Sequence, residues 1–133
     1  MSNKDLFFQI IERGFSKGDL TVADEICAPN LIEHQYLAKP HLPGPEILKD
    51  QIMSARATVQ DLTLAPERIV EDRDMVWALL KGAGTEARSG KAVSFTVMDV
   101  CRFENGKLVE HWGVPDRFAI LHQAGALPPP SGG

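Results

Sequence analysis

The period at which apolar residues recur changes once along this chain, near residue 58. Apolar side chains recur every three or four residues over 2–17 and again over 47–58, which is the pattern of amphipathic helices. From there to residue 114 they alternate with polar side chains, which is the pattern of strands with one buried face. Helices followed by a run of strands predict an α+β fold, in which the N-terminal helices pack on one face of a curved antiparallel sheet.

Turn residues divide both parts of the chain into shorter elements. A short helix is predicted over 20–28, where Pro29 ends it, and an extended segment over 31–34 precedes a proline-rich loop over 36–45. Four strands and a last helix are predicted to follow, over 62–70, 75–86, 92–103, 108–114 and 116–123.

The size and composition of the chain fit one folded unit. Its 133 residues, 44% of them hydrophobic, suffice for a core without disulfide or metal support. One domain is therefore predicted over 1–127, followed by a tail over 128–133 whose proline, serine and glycine predict disorder. Cys27 and Cys101 are interpreted as free buried thiols of a reducing compartment.

The charge pattern limits the kinds of partner. The net charge is −4 and no long run of one sign occurs, which argues against nucleic acid or an anionic membrane surface. The N-terminus lacks the pattern of a signal peptide and no apolar run is long enough to span a bilayer, so the sequence predicts a cytoplasmic protein.

The strongest local signal is the Asn-Gly pair at 105–106, which favours the two-residue turn of a β-hairpin. With a regular turn, Asp99 pairs with Trp112 across the hairpin, and Glu110 lies one step along on the same face. That face of the long strand is the apolar one, so Asp99 is expected to point into the interior. His111 alternates with Trp112 and is therefore expected to face away.

Asp99 is the principal candidate for chemistry. A carboxylate on an apolar face beside an indole is costly to leave charged unless a cation or donor compensates, and this is the environment of a general base. The alternative is structural: Asp99 accepts hydrogen bonds from a helix end or from the Trp112 indole and ties the sheet together. Glu110 is a second candidate acid on that face, with a solvated rim position as its alternative.

A longer run around this hairpin is similar to a known family. The segment VMDVCRFENGKLVEHW at 97–112 resembles the Asp-Ile-x-Arg and Asp-Gly-Lys-Ile-x-Glu-His-Trp run of SnoaL-like polyketide cyclases. LIEH at 31–34 and DRFAILHQAG at 116–125 are further matches, so the resemblance spans nearly the whole chain to residue 127. The resemblance implies the cone-shaped α+β fold of the nuclear-transport-factor-2-like superfamily.

The same resemblance implies an apolar pocket between sheet and helices, no metal, no cofactor, a homodimer, and an aspartate that acts as acid or base on a hydrophobic carbonyl compound. Asp99 matches that aspartate. The family's partner histidine lies in a Gly-Thr-His run on the preceding strand, where this chain has Gly-Thr-Glu ending at Glu86. Glu86 is expected either to be exposed beside the turn or to face inward and share a proton with Asp99.

Other candidates concern the mouth and walls of the expected pocket. His34 precedes the proline-rich loop, where the family often has a histidine, and could hold a substrate oxygen; its alternative is a surface histidine that caps a turn. Trp112 is expected to shape the pocket. Tyr36, Phe95 and Trp77 are candidate substrate-binding residues, although large aromatic side chains in a small domain also serve as core.

Three functions remain open from the sequence. The first is an acid/base enzyme that performs an aldol cyclisation or an isomerisation. The second is a ligand-binding protein without chemistry, which the absence of the family's histidine favours. The third is an epoxide hydrolase or hydratase on the same scaffold, which needs a larger polar network aimed into the pocket than Asp99 and Glu110 supply.

Overall fold

A computed structural model describes residues 1–36 and 38–128 of this protein. Most of its helices come first in the chain and most of its strands follow. The predicted tail over 128–133 lies outside the described residues except for Pro128. The elements are α1 (Asn3–Gln9), a π-helix (Ile10–Ser16), α2 (Thr21–Ile26), β1 (Cys27–Glu33), α3 (Gly44–Thr58), β2 (Val59–Asp72), β3 (Met75–Glu86), β4 (Ala92–Glu104), β5 (Lys107–Pro115) and α4 (Arg117–Gln123).

The helix expected over 2–17 is present but changes its winding half-way. Ser2 and Asp5 form a capping box at its start, with the Ser2 side chain accepting the Asp5 N–H and the Asp5 carboxylate accepting the Ser2 N–H. From Ile10 the helix continues with π-type winding to Ser16, and both halves bury their apolar residues. The predicted amphipathic face is therefore confirmed.

The five strands form one sheet in the order β1-β5-β4-β3-β2. Neighbouring strands are antiparallel except that β1 runs parallel to β5. The predicted α+β fold is confirmed, whereas the expectation of a wholly antiparallel sheet is wrong at this edge. A parallel pair requires a long crossover between its strands, and α3 with three intervening strands provides it here.

The core lies between the helices and one face of the sheet. On that face β3 and β4 bury alternate residues, and Phe7 and Ile52 from the helices are almost completely buried against them. The opposite face of β3, β4 and β5, termed here the outer sheet face, leaves Trp77, Met98 and Val114 exposed.

The β4–β5 hairpin contains a bulge that the sequence did not reveal. The predicted turn at 105–106 is confirmed, since both residues have positive φ and Glu104 pairs with Lys107. The next pairs are Phe103 with Leu108 and Arg102 with Glu110, so that Val109 is an extra residue. One extra residue moves every following side chain of β5 to the other face.

The expected pairing of Asp99 with Trp112 is therefore wrong. Asp99 pairs with Gly113, and Val100 pairs with Trp112. His111 now shares the inner face with Asp99, whereas Trp112 and Glu110 lie on the outer sheet face. Asp99 itself is 8% exposed, as its position on β4 predicted.

None of the helices in the described part of the chain has the length and apolar character needed to span a bilayer.

Candidate active site

A cavity of about 310 Å³ lies between the helices and the inner face of the sheet. Most of its wall is apolar and comes from α1, the π-helix, α3 and the inner faces of β2 and β4, including Phe7, Ile11, Leu62 and Phe95. Four polar side chains that bear on its chemistry also line it: Gln35, Gln51, Asp99 and His111. Its volume is at the lower end of the range of about 300–1,000 Å³ for small-molecule sites.

Asp99, His111 and Glu33 form a hydrogen-bonded row across three adjacent strands. The Nε2 atom of His111 lies 2.8 Å from Asp99 Oδ1, and its Nδ1 atom lies 2.7 Å from Glu33 Oε2. Glu33 pairs directly with His111 in the parallel β1–β5 ladder, and Asp99 lies two residues along β4 from the partner of His111. The three side chains are only 1–12% exposed.

The two carboxylates hold the imidazole in its charged form. Burial opposes the imidazolium, but the hydrogen bonds and charges of Asp99 and Glu33 outweigh burial and raise the pKa of His111 to about 10. Burial also works against an ionised Glu33, yet His111 and the Gln35 backbone N–H leave the pKa of Glu33 below its ordinary value. At neutral pH the imidazolium therefore donates one N–H to each carboxylate.

Asp99 is the member of this row that can react with a ligand. Its Oδ1 atom accepts from His111, while Oδ2 has no hydrogen bond among the described residues, and the side chain lines the cavity. Gly113 opposite Asp99 keeps this corner open. A Cβ atom there would lie 2.5 Å from Gln35 Oε1, 2.9 Å from His111 Cε1 and 3.0 Å from Asp99 Oδ1. The arrangement provides a carboxylate base fixed by a buried cation.

His34, Glu110 and Trp112 form a cluster on the outer sheet face and do not line the cavity. His34 Nε2 lies 2.7 Å from Glu110 Oε2, and the His34 ring stacks on Trp112 at a centroid distance of 4.6 Å. Hydrogen bonds from His34 and then from Arg102 lower the pKa of Glu110. The bulge explains why Trp112 and Glu110 lie on this face, and the inward positions expected for these two residues are therefore wrong. Trp77, also on the outer face, is 49% exposed.

Glu86 is the last residue of β3, and its side chain binds the turn that leads to β4. Its carboxylate accepts the backbone N–H groups of Arg88 and Ser89 at 3.0 and 2.8 Å, and these bonds lower its pKa. Glu86 is 8% exposed, so the expected exposure beside the turn is wrong. It is not a cavity-lining residue, so the structure does not bring it to Asp99.

The other predicted lining residues do reach the cavity. Phe95 forms part of its buried wall, whereas Tyr36 lies at its edge and is 84% exposed. Cys101 also lines it. Burial, with a contribution from Asp99, raises the pKa of the Cys101 thiol well above its ordinary value, so it is protonated at neutral pH and is no nucleophile.

Sequence reasoning missed Glu33 and His111 as site residues. Both lie within the two short runs that resemble the family, LIEH and VEHW, so the signal was present. The face predicted for His111 is wrong because alternation across a regular hairpin does not include the bulge at Val109. Nothing in the local sequence marks Val109 as the bulged residue.

Within residues 1–36 and 38–128, no group of three or more His, Cys, Asp and Glu side chains has the arrangement of a metal site.

The model of the family described as SnoaL-like polyketide cyclase matches residues 6–124. The chain belongs to the SnoaL-like polyketide cyclase family. No curated protein matches the sequence significantly.

Solved structures share the fold of this SnoaL-like chain over nearly its whole length. TsrD from Streptomyces laurentii is 22% identical, with 96% of this chain and 99% of that chain covered and a TM-score of 0.82. IdmH from Streptomyces antibioticus is 25% identical, with coverages of 94% and 99% and a TM-score of 0.81. A SnoaL-like polyketide cyclase from Agrobacterium tumefaciens is 19% identical, with coverages of 92% and 98% and a TM-score of 0.76.

Proposed function

We propose that this SnoaL-like protein is an acid/base enzyme that acts on a small hydrophobic carbonyl compound, in an aldol cyclisation or an isomerisation. The observation that carries the proposal is the Asp99 carboxylate at an apolar cavity, fixed by the buried imidazolium of His111. Family membership supports the same class of substrate.

In the proposed reaction, Asp99 Oδ2 removes a proton from the carbon next to the substrate carbonyl. The C–H electron pair forms the C=C bond of an enolate, and the carbonyl π pair moves to oxygen. Asp99 then returns the proton to the product. A positioned base of this kind contributes roughly 10²- to 10⁴-fold in rate, and orientation in a dry cavity contributes further.

His111 and Glu33 are assigned positioning roles in this scheme. Both N–H groups of the imidazolium are engaged by carboxylates, so His111 orients Asp99 and balances its charge. Glu33 in turn fixes the imidazolium from the opposite side. His34 and Glu86, which the sequence suggested as catalytic, are left out because their hydrogen bonds lie on the outer sheet face and in the β3–β4 turn.

Exchange of substrate α-hydrogens for deuterium tests the proposal without knowledge of the natural substrate. We expect the protein in D₂O to accelerate the exchange in at least one of a panel of bicyclic ketones, including 1-tetralone and 2-tetralone, as followed by proton NMR. Asp99→Asn should lower the rate about 100-fold or more while the far-UV circular dichroism stays unchanged. Glu110→Gln, a carboxylate-to-amide change on the outer sheet face, is the matched control and should leave the rate unchanged.

Two results would contradict the enzyme proposal: no exchange with any ketone of the panel, or exchange that Asp99→Asn does not reduce. Tight binding of ketones without exchange would favour the second candidate, a ligand-binding protein. The specific observation in favour of that candidate is Glu86, which stands where the family has its partner histidine and is engaged by the turn.

We further propose that two copies associate through the outer sheet face in the cytoplasm. Large apolar side chains are exposed there next to one another: Met98 pairs with Val114, and Trp77 pairs with the exposed Val70 of the neighbouring strand β2. Contiguous exposed apolar surface of this kind marks interaction sites. Cys27 and Cys101 are both free and buried, which supports a reducing compartment.

A further inference from the structure

The side-chain amide of Gln35 lies beside the Asp99 carboxylate in the wall of the cavity. Gln35 follows β1 by two residues, is half-buried and lines the cavity. Its Oε1 atom and Asp99 Oδ1 lie 2.5 and 3.0 Å from one point, the position that a Cβ atom on Gly113 would take. The glycine therefore leaves room for this amide next to the carboxylate.

The main chain holds Gln35 in this place. Its backbone N–H donates to Glu33 Oε2 at 3.0 Å, and its carbonyl accepts the Ala38 N–H at 3.2 Å. The preceding residue, His34, donates its N–H to the His111 carbonyl at 2.9 Å, which continues the pairing of β1 with β5. The segment that carries the amide is thus bonded to both Glu33 and the backbone of His111.

The amide group itself is available to a ligand. It has no hydrogen-bond partner among the described residues, because the bonds of Gln35 are those of its backbone. Both amide atoms keep accessible surface, unlike Nε2 of Gln51. The last torsion of a glutamine side chain is broad and roughly two-fold, so an unbonded amide can turn its N–H toward a ligand atom beside Asp99.

The other side-chain donors of the cavity wall are less suited to such an atom. Both N–H groups of His111 bond to carboxylates, and the Thr58 hydroxyl donates to a carbonyl of its own helix at 3.0 Å. Gln51 Nε2 has no accessible surface, and its amide acts on Glu33 and not on Asp99. The remaining donors are a weak one, the Cys101 thiol, and three exposed side chains for which water competes, Tyr36, Ser54 and Arg117.

We propose that Gln35 Nε2–H donates a hydrogen bond to the carbonyl oxygen of the ligand. This inference rests on the proposed function, in which Asp99 removes the neighbouring proton and negative charge develops on that oxygen. A positioned donor aimed at the developing charge stabilises the enolate more than the ketone, which is the principle of an oxyanion hole. Gln35 thereby takes the role that the sequence had suggested for His34.

Hydrogen exchange and ligand binding together test the role of Gln35. The wild type is compared with Gln35→Met and with Gln60→Met, where Gln60 is an exposed glutamine of β2 and supplies the matched control. Methionine keeps the length of the side chain and removes the donor. Exchange in D₂O is measured at saturating concentration of the ketone that the wild type exchanges fastest. Binding of 1-tetralone, and of tetralin, the same bicyclic frame without the oxygen, is measured by NMR titration.

We expect Gln35→Met to lower the exchange rate at saturation about 100-fold, since the loss of one oxyanion donor has an effect of roughly this size. The affinity for 1-tetralone should fall about tenfold at most, because the bond to a neutral carbonyl is weaker, while the affinity for tetralin stays the same. In the wild type, the Gln35 side-chain amide proton should shift downfield with 1-tetralone and not with tetralin. Gln60→Met should match the wild type.

The inference is overturned if Gln35→Met exchanges at the wild-type rate, or if the wild-type amide proton does not respond to 1-tetralone. Equal loss of affinity for 1-tetralone and tetralin would also overturn it, because a residue that only packs against the ligand gives that result. Any of these results with Asp99-dependent exchange intact would reject the role of Gln35 and leave the proposed function standing. If the wild type exchanges no ketone of the panel, the proposed function and the inference are both wrong.

Discussion

His111 changes its charge on folding at neutral pH. Its pKa is about 6.5 in an unfolded chain and about 10 in the folded protein. Because the folded-state pKa is the higher one, the stabilisation is fully present below pH 6.5 and is lost as the pH rises through 10. The buried row therefore contributes to stability at neutral pH through its charge as well as through its hydrogen bonds.

We expect the free energy of unfolding to fall by on the order of a few kcal/mol between about pH 6 and about pH 10, as measured by urea unfolding. His111→Gln should remove most of this slope. The buried thiols Cys27 and Cys101 also have raised pKa values and add to the slope at high pH. Both thiols are present in the wild type and in His111→Gln, so their contribution cancels when the two slopes are subtracted.

Equal slopes in the wild type and in His111→Gln would show that the imidazolium is not held by the carboxylates. If His111→Gln fails to fold, Glu33→Gln serves as the second variant. It removes one of the two carboxylates, so the pKa of His111 should fall. The loss of stability, which still begins near pH 6.5, should then be smaller and complete at a lower pH.

At the scale of one element, the site depends on a single extra residue in β5. The bulge at Val109 brings His111 beside Asp99 and moves Trp112 and Glu110 to the outer sheet face. Deletion of Val109 should give a regular hairpin that keeps the pairs Arg102 with Glu110, Cys101 with His111 and Val100 with Trp112, so His111 should stay on the inner face. We expect the deletion variant to fold and to keep the raised pKa of His111, with a loss of stability of about 1 kcal/mol or less.

Val109→Ala is the control for the deletion, because it shortens the side chain and keeps the number of residues. It should retain both the fold and the raised pKa of His111. Thermal unfolding and the titration of His111 measure the two effects. A deletion variant in which the pKa of His111 is no longer raised would mean that Val109 is not the extra residue of β5.

The hairpin also shows how far the site could be predicted from the sequence. The turn followed from Asn105 and Gly106, and the inward position of Asp99 followed from alternation along β4 alone. The residue of β5 that pairs with Asp99 could not be predicted in this way. A bulge keeps the alternation of side chains before and after it, and only reverses which of the following side chains face inward. The pairing of Glu33 with His111 was also hidden, since it joins residues 78 positions apart in the chain.

On the scale of the whole molecule, the two apolar periods were enough to predict helices packed on one face of a sheet. The parallel position of β1 was not predictable from them, because the segment 31–34 is short and its partner is set by the packing of α3 across the crossover. The cavity followed only from the family resemblance, since periodicity does not distinguish a filled core from one with space for a ligand.

The proposed association through the outer sheet face is a prediction at this scale. We expect light scattering to give twice the monomer mass, and Trp77→Lys to raise the dissociation constant at least about tenfold by placing a charge in an apolar interface. Met53→Lys is the matched control, because Met53 is similarly exposed, at 52%, but lies on α3. A monomeric wild type, or equal weakening by both variants, would refute this arrangement.

The charge state of His111 tests the central claim most directly, because the proposed base works only if a buried imidazolium fixes it. Nitrogen-15 NMR of the His111 ring should show both nitrogens protonated at neutral pH, with deprotonation only near pH 10. Asp99→Asn should lower that titration point. A ring with one unprotonated nitrogen at neutral pH, titrating near the ordinary 6.5, would contradict the account.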